Sequence, residues 1–147
     1  MLSLSPVQGK APVSVRLATA DESRYIVKTW LRSNRPCSPL PDSDYYPLHQ
    51  DLVLRVLLDA QAWVLVRADK ARDERERVLA FLVADPPYVL HYAYTRTPER
   101  GKGYFRRLSV AAGLSADRVY GTHKRKDRPL PDPIRYCPEV LAYTRIR

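Results

Sequence analysis

The sequence predicts an α/β protein, and three stretches carry that expectation. Residues 88–114, YVLHYAYTRTPERGKGYFRRLSVAAGL, read as a strand, a glycine turn and a helix. Residues 62–68 and 78–84, AWVLVRA and VLAFLVA, are short apolar runs of strand length on either side of a charged connector. Residues 19–34 and 48–60 carry apolar side chains at the 3.6-residue helical period. A chain of 147 residues is long enough for one domain with a sizeable core.

Taken in order, Met1 to residue 11 is expected to be a loose tail, 12–123 the folded core, and 124–147 a basic, proline-rich segment. Val13, Val15 and Leu17 alternate with polar neighbours, as in a short half-buried strand. Thr19-Ala20-Asp21-Glu22 has the spacing of a capping box, in which the Thr19 hydroxyl accepts from the Glu22 N–H and the Glu22 side chain reaches back. The helix it opens runs to about Asn34 and buries Ile26, Val27, Trp30 and Leu31. Three prolines between Pro36 and Pro41 require a loop. Tyr45-Tyr46-Pro47 leads into a second helix from Leu48 to Ala60, with Leu48, Leu52, Val53, Val56, Leu57 and Ala60 as its apolar stripe. The two apolar strands that follow form an antiparallel hairpin, with residues 69–77, DKARDERER, as its solvated tip.

Asp85-Pro86-Pro87 turns the chain into the central strand, Tyr88 to Thr95, which Pro98 ends. The turn Arg100-Gly101-Lys102-Gly103 then opens a helix with Tyr104, Leu108, Ala111 and Ala112 at helical spacing. A glycine turn at a helix start leaves backbone N–H groups free and points the positive end of the helix dipole outward, which suits a phosphate or pyrophosphate. Arg106 and Arg107 add charge at the same place. Residues 118–123, RVYGTH, read as a further short strand, and only Val140 to Ile146 of the last segment looks extended.

At Tyr-x-Arg-x-Pro-Glu-Arg100-Gly101-Lys102-Gly103 and its helix, the chain resembles the pyrophosphate loop of the GCN5-related N-acetyltransferases (GNAT). That pattern is Arg or Gln, two residues, Gly, one residue, Gly or Ala; Arg100 and Gly103 match it, and Phe105 stands at the last small position. The strand and capped helix at residues 13–34 also resemble the start of many such enzymes. The chain is further similar to small GNAT-like proteins of tailed bacteriophages over residues 13–124. There the similarity lies in Trp30-x-x-Ser33, Tyr46-x-x-His49, Val89-Leu90-His91-Tyr92-x-Tyr94, Arg100-x-x-Gly103 and Thr122-His123.

The resemblance implies a mixed central sheet flanked by helices, compact or truncated at its C-terminal end, and acyl transfer from acetyl-CoA to an amine. It implies cofactor contacts at Tyr92, Tyr94, Arg100, Gly101, Lys102, Gly103 and Tyr104. Acceptor contacts are expected at Tyr45, Tyr46 and His49, and at His123, which lies close to His91 if their strands are neighbours. The family's base is often a carboxylate on the central strand, and its acid a tyrosine past the next strand. Here no Asp or Glu lies between Tyr88 and Pro98, which leaves His91 as the base or as the group that orients a water, with Tyr143 or Tyr136 as the acid.

The charge adds a second expectation. Residues 96–147 hold 13 Lys/Arg against 5 Asp/Glu, so +8 of the net +9 sits in the last third. Such a field draws an anion: CoA, nucleic acid or an acidic protein surface. A nucleic-acid-binding or DNA-modifying protein on this fold is therefore an alternative, with DNA held by residues 96–147. A second alternative is a structural or interaction protein without catalysis, consistent with Phe105 and the missing carboxylate. No apolar run reaches the length of a membrane span and no signal segment opens the chain, so a soluble protein of the cytoplasm is expected, that of the bacterial host if the chain is phage-encoded. Cys37 and Cys137 have no partner spacing and read as two thiols. Lysine-tipped P-loops, zinc-ligand spacings and GxSxG turns are absent from the sequence.

Overall fold

The computed structural model describes residues 12–67, 77–123 and 134–137. The expected tail at 1–11, most of the charged hairpin tip, the stretch Val140–Ile146 and Tyr143 lie outside the described residues.

The elements follow in the order β1 (Val13–Leu17), α1 (Ala20–Asn34), α2 (Asp42–Asp59), β2 (Gln61–Arg67), β3 (Val78–Asp85), β4 (Val89–Thr95), α3 (Tyr104–Ala112), β5 (Val119–Gly121) and β6 (Ile134–Tyr136). One mixed sheet runs β1-β2-β3-β4-β5-β6. Its first four strands are antiparallel neighbours. β5 lies parallel to β4, and β6 parallel to β5. None of the described helices is long and apolar enough to cross a membrane.

The capping box forms as expected. Thr19 Oγ1 accepts from the Glu22 N–H at 3.3 Å, and Glu22 Oε1 accepts from the Thr19 N–H at 2.9 Å. Arg16 on β1 donates both guanidinium arms to the same carboxylate, at 2.6 and 2.8 Å, so α1 is tied to the edge of the sheet as it starts. Leu17, at the end of its strand, is exposed, against the expectation of an alternating buried face.

Two expectations about helices need correcting. α2 begins at Asp42, not Leu48, so Tyr45, Tyr46 and Pro47 are inside it. Pro47 costs a helical hydrogen bond. The opening turn is nonetheless held by Asp42 and Asp44 at the positive dipole end and by Tyr45, which is buried and donates its hydroxyl to the Leu31 carbonyl at 2.6 Å. With Tyr45 anchoring the buried face beside Val53 and Val56, Leu48 falls at the rim and is 63% exposed. The Pro36–Pro41 loop also contains a 3₁₀ turn, Arg35–Cys37.

Each face of the sheet has its own core. On one, α1 and α2 bring Ile26, Trp30, Tyr45, Val53 and Val56 against Val64, Val66, Phe81, Val83 and Tyr92. On the other, Leu108 and Ala112 of α3 meet Leu65, Leu82, Ala84, Leu90, Val119 and Ile134. Ala111, counted above with the apolar face of α3, is exposed. β3, covered on both faces, is buried from Val78 to Ala84, which is why its sequence is apolar without alternation. β6 lies in a segment whose sequence promises no strand there.

Candidate functional site

The loop after β4 makes a 3₁₀ turn at Thr97–Glu99 and then passes through Gly101 (φ 82°) and Gly103 (φ 78°) before α3. Both glycines are in the left-handed region, where a Cβ is strained. Gly103 is the N-cap of α3, and no side chain caps the helix. The first hydrogen bond of the helix is Arg107 N–H to the Gly103 carbonyl, at 3.1 Å. The N–H groups of Tyr104, Phe105 and Arg106 thus have no intrahelical acceptor, and the positive end of the dipole lies beside them. A Cβ placed on Gly101 or Gly103 meets nothing, so the space before the turn is open. Arg100, Lys102, Arg106 and Arg107 are exposed around it. Lys102 is paired with Glu99 at 3.1 Å and Arg100 Nε donates to the Thr95 carbonyl at 3.0 Å. These groups fit a pyrophosphate. Tyr104 and Phe105 pack on the α3-side core, which gives the Phe105 ring a place in the fold.

β4 is irregular where the chemistry is expected. Its register against β3 steps from Val83↔Tyr92 to Ala84↔Leu90, so β4 carries one extra residue, His91, at a bulge. On its other side β4 pairs with β5 only at Val89↔Tyr120 and Leu90↔Gly121. β5 ends there while β4 continues to Thr95, so no described strand lies beside the second half of β4 on that side. The two strands part at His91.

His91 is 2% exposed and both its ring nitrogens are engaged. Nε2 lies 2.7 Å from Asp85 Oδ2, and Nδ1 lies 2.9 Å from Thr122 Oγ1. The same hydroxyl is 2.9 Å from His123 Nδ1. Four side chains thus form a continuous line: Asp85, His91, Thr122, His123. The expected proximity of His91 and His123 holds because β4 and β5 are neighbours. His123 is partly exposed and meets the rings of Trp30 and His49 edge-on, at centroid distances of 5.1 and 6.2 Å. His49 stacks on Tyr45 at 5.0 Å, and its Nε2 is buried without a hydrogen bond among the described residues.

Burial sets the protonation of this cluster. It lowers the pKa of His49. It also takes His123 from 6.5 to about 4, with the neighbouring His91 and His49 adding to the effect and the His91 backbone working against it. Tyr45 is pushed up to about 12, chiefly by burial and then by Tyr46.

Among the residues singled out in the sequence, His49 and His123 come together with His91, while Tyr45 is core and Tyr46 is exposed beside it. Tyr92 stacks on Trp30 at 5.0 Å and Tyr94 packs on Phe81, both on the α1/α2 face. Their rings and the Arg100–Gly103 turn therefore belong to different faces of the sheet. Tyr136 ends β6 and is exposed. Asp85 and Thr122 were not expected to join the site. Asp85 reads in sequence as a turn residue before two prolines, and the signal for Thr122 is only its place beside His123.

No protein-family model matches the sequence. No curated protein matches it either. Among solved structures, a candidate acetyl transferase from Pyrococcus furiosus is 14% identical, covers 92% of this chain and 91% of its own, and superposes with a TM-score of 0.54. A possible acetyltransferase from Clostridium difficile 630 is 16% identical, with coverage of 79% and 82% and a TM-score of 0.50. Apo-form YjaB from Escherichia coli is 24% identical over 69% of this chain, with a TM-score of 0.47. The match spans 64% of YjaB, just under two thirds of its length.

Proposed function

We propose that this chain, whose fold is GNAT-like, binds acetyl-CoA at the Arg100–Gly103 turn and promotes transfer of the acyl group to an amine. The observation that carries this is the uncapped start of α3 behind two left-handed glycines, placed at the end of a central strand that parts from its neighbour at His91. The turn would hold the pyrophosphate through the N–H groups of Tyr104, Phe105 and Arg106, with Arg106 and Arg107 adding charge. Acetyl-CoA supplies a thioester, an acyl carbon already activated toward amines. The bulge at His91 disrupts the regular ladder where backbone donors would serve the acyl oxygen. On the α1/α2 side, Tyr46, His49 and His123 would face the acceptor.

Calorimetric titration of the full chain with acetyl-CoA tests this. Binding is expected, and Gly103→Val should weaken it at least about tenfold while circular dichroism shows the fold intact, because a β-branched residue cannot keep φ at 78°. No binding, or equal binding by the variant, would reject the assignment.

A second reading keeps the same turn but gives it a larger partner. Arg100, Lys102, Arg106 and Arg107 are exposed together, and the surrounding sequence is strongly basic, which suits a nucleic-acid backbone.

A further inference from the structure

We propose that Asp85, His91, Thr122 and His123 are a proton relay in which His123 Nε2 receives the substrate's proton and His91, held by Asp85, stores the charge. This rests on the acyl-transfer reading above and settles which atom does the acid–base work within it.

The assignment follows from counting donors and acceptors along the line. Asp85 is a carboxylate and accepts, so His91 Nε2 carries a hydrogen. Neutral His91 then has an acceptor at Nδ1, which takes the single hydrogen of the Thr122 hydroxyl. With that hydrogen used, Thr122 Oγ1 can only accept from His123, so His123 is protonated at Nδ1. The His123 ring also hydrogen-bonds the His91 backbone, whose carbonyl can only accept; the relay assigns that bond to the same Nδ1–H, which leaves the lone pair of Nε2, with no hydrogen bond to a side chain of the described residues. His91, buried with both nitrogens engaged, cannot meet a substrate directly. His123 is the more accessible of the two, a residue of intermediate exposure beside Trp30 on the α1/α2 side.

In acyl transfer the C–N bond forms, the C–S bond breaks and sulfur leaves with the electron pair, so one proton must move from nitrogen to sulfur. A proton arriving at His123 Nε2 displaces the one on Nδ1 to Thr122 Oγ1, and the Thr122 hydrogen passes to His91 Nδ1. The line then holds one more proton than before. His91 is an imidazolium against Asp85, Thr122 donates to His123, and His123 is neutral with hydrogen on Nε2. Reversing the shift releases the proton from the same atom. The groups facing His123 favour this: His91 and His49 repel a charge on its ring, Trp30 is not titratable, and among the described residues of this cluster only His91 has a carboxylate beside it. By this account His123 is the catalytic residue, and Thr122, His91 and Asp85 position and charge-compensate it.

Nitrogen-15 NMR of histidine-labelled full-length protein at neutral pH tests the proposal. His91 should be neutral with hydrogen on Nε2, and His123 neutral with hydrogen on Nδ1, the less common form of free imidazole. Thr122→Val should release His123 to a mixture of forms, and Thr122→Ser should restore the Nδ1–H form. In parallel, CoA release from acetyl-CoA with ethylamine as acceptor should fall about 100-fold or more in His123→Gln and Thr122→Val, with acetyl-CoA affinity unchanged and Thr122→Ser recovering most of the loss. A resting His91 imidazolium, hydrogen on His123 Nε2, or full turnover in His123→Gln overturns the relay. Failure of the unmodified chain to bind acetyl-CoA overturns the acyl-transfer reading alone, and the ring tautomers then decide the relay by themselves.

Discussion

Glu22 is a charged group with no exposed surface, compensated by Arg16 at 2.6 Å and by Arg77 at 3.4 Å. Burial pushes its pKa up, but the hydrogen bonds from Arg16 and from the Thr19 N–H outweigh burial and leave it below the ordinary 4.5. The unfolded chain therefore binds this proton first as pH falls, so the stability Glu22 contributes is complete above about 4.5 and lost through its lower folded value. Replacing it with Ala keeps the Thr19 cap but removes the reciprocal bond from the Thr19 N–H and the two charge-assisted bonds from Arg16, and should cost about 2–3 kcal/mol in urea melts at pH 7. His123 acts in a different window. Its folded pKa is about 4 against 6.5 unfolded, so the unfolded chain again holds more protons, and stability should fall by up to about 3 kcal/mol as pH drops from 6.5 to 4. His123→Gln should flatten that part of the profile; an unchanged slope would assign the loss to another group. Local pairs such as Thr19 and Glu22 are legible in the sequence because both partners sit on one turn. Asp85 and His91 are six positions apart, and only the bulge in β4 and the turn between the strands bring them to 2.7 Å.

The elements were legible to the extent that periodicity marked them. β2, β3 and β4, each of seven or eight residues, show apolar runs long enough to recognise, whereas β6 spans three residues and leaves no pattern. α2 shows a different limit. Pro47 argues locally against helix, yet the helix runs through it because Tyr45 is buried and hydrogen-bonded two residues earlier. That conflict predicts a gain on removal. Pro47→Ala restores an N–H to the helix and should raise stability by about 1–3 kcal/mol in chemical denaturation. A loss instead would mean that Pro47 is required to seat Tyr45. Likewise Gly103→Ala, at φ 78° with open space around it, should cost about 1–2 kcal/mol from backbone strain alone.

For the molecule as a whole, charge is the property that sequence states most directly and structure least constrains. The +8 carried by residues 96–147 exceeds what one CoA needs, and predicts salt-sensitive DNA binding of micromolar or weaker affinity at physiological salt. A fluorescence titration across salt concentrations checks it. A chain cut after His123 is a poor comparison, because it also removes β6, which pairs with β5 and buries Ile134. Neutralising Lys124, Arg125 and Lys126 changes no residue of a described strand. If that variant binds DNA as well as the parent, Arg106 and Arg107 on α3 become the contacts, and acetyl-CoA should then displace DNA. No binding at low salt removes the nucleic-acid reading.

The two cores share no residue, and each faces only its own helices. The sheet, as its described strands form it, is in this sense a partition wall with a doorway, the gap where β4 leaves β5. The glycine turn opens α3 on one side of the wall, while Trp30, His49 and His123 gather on the other. Under the acyl transfer proposed above, such a plan would let donor and acceptor preferences be rewritten separately. Substitutions along α1 and α2 can reshape what approaches His123 without disturbing the anion turn, and changes at the start of α3 can do the reverse. Residues at the doorway itself, His91 and Thr122 above all, have no such freedom, because they answer to both rooms.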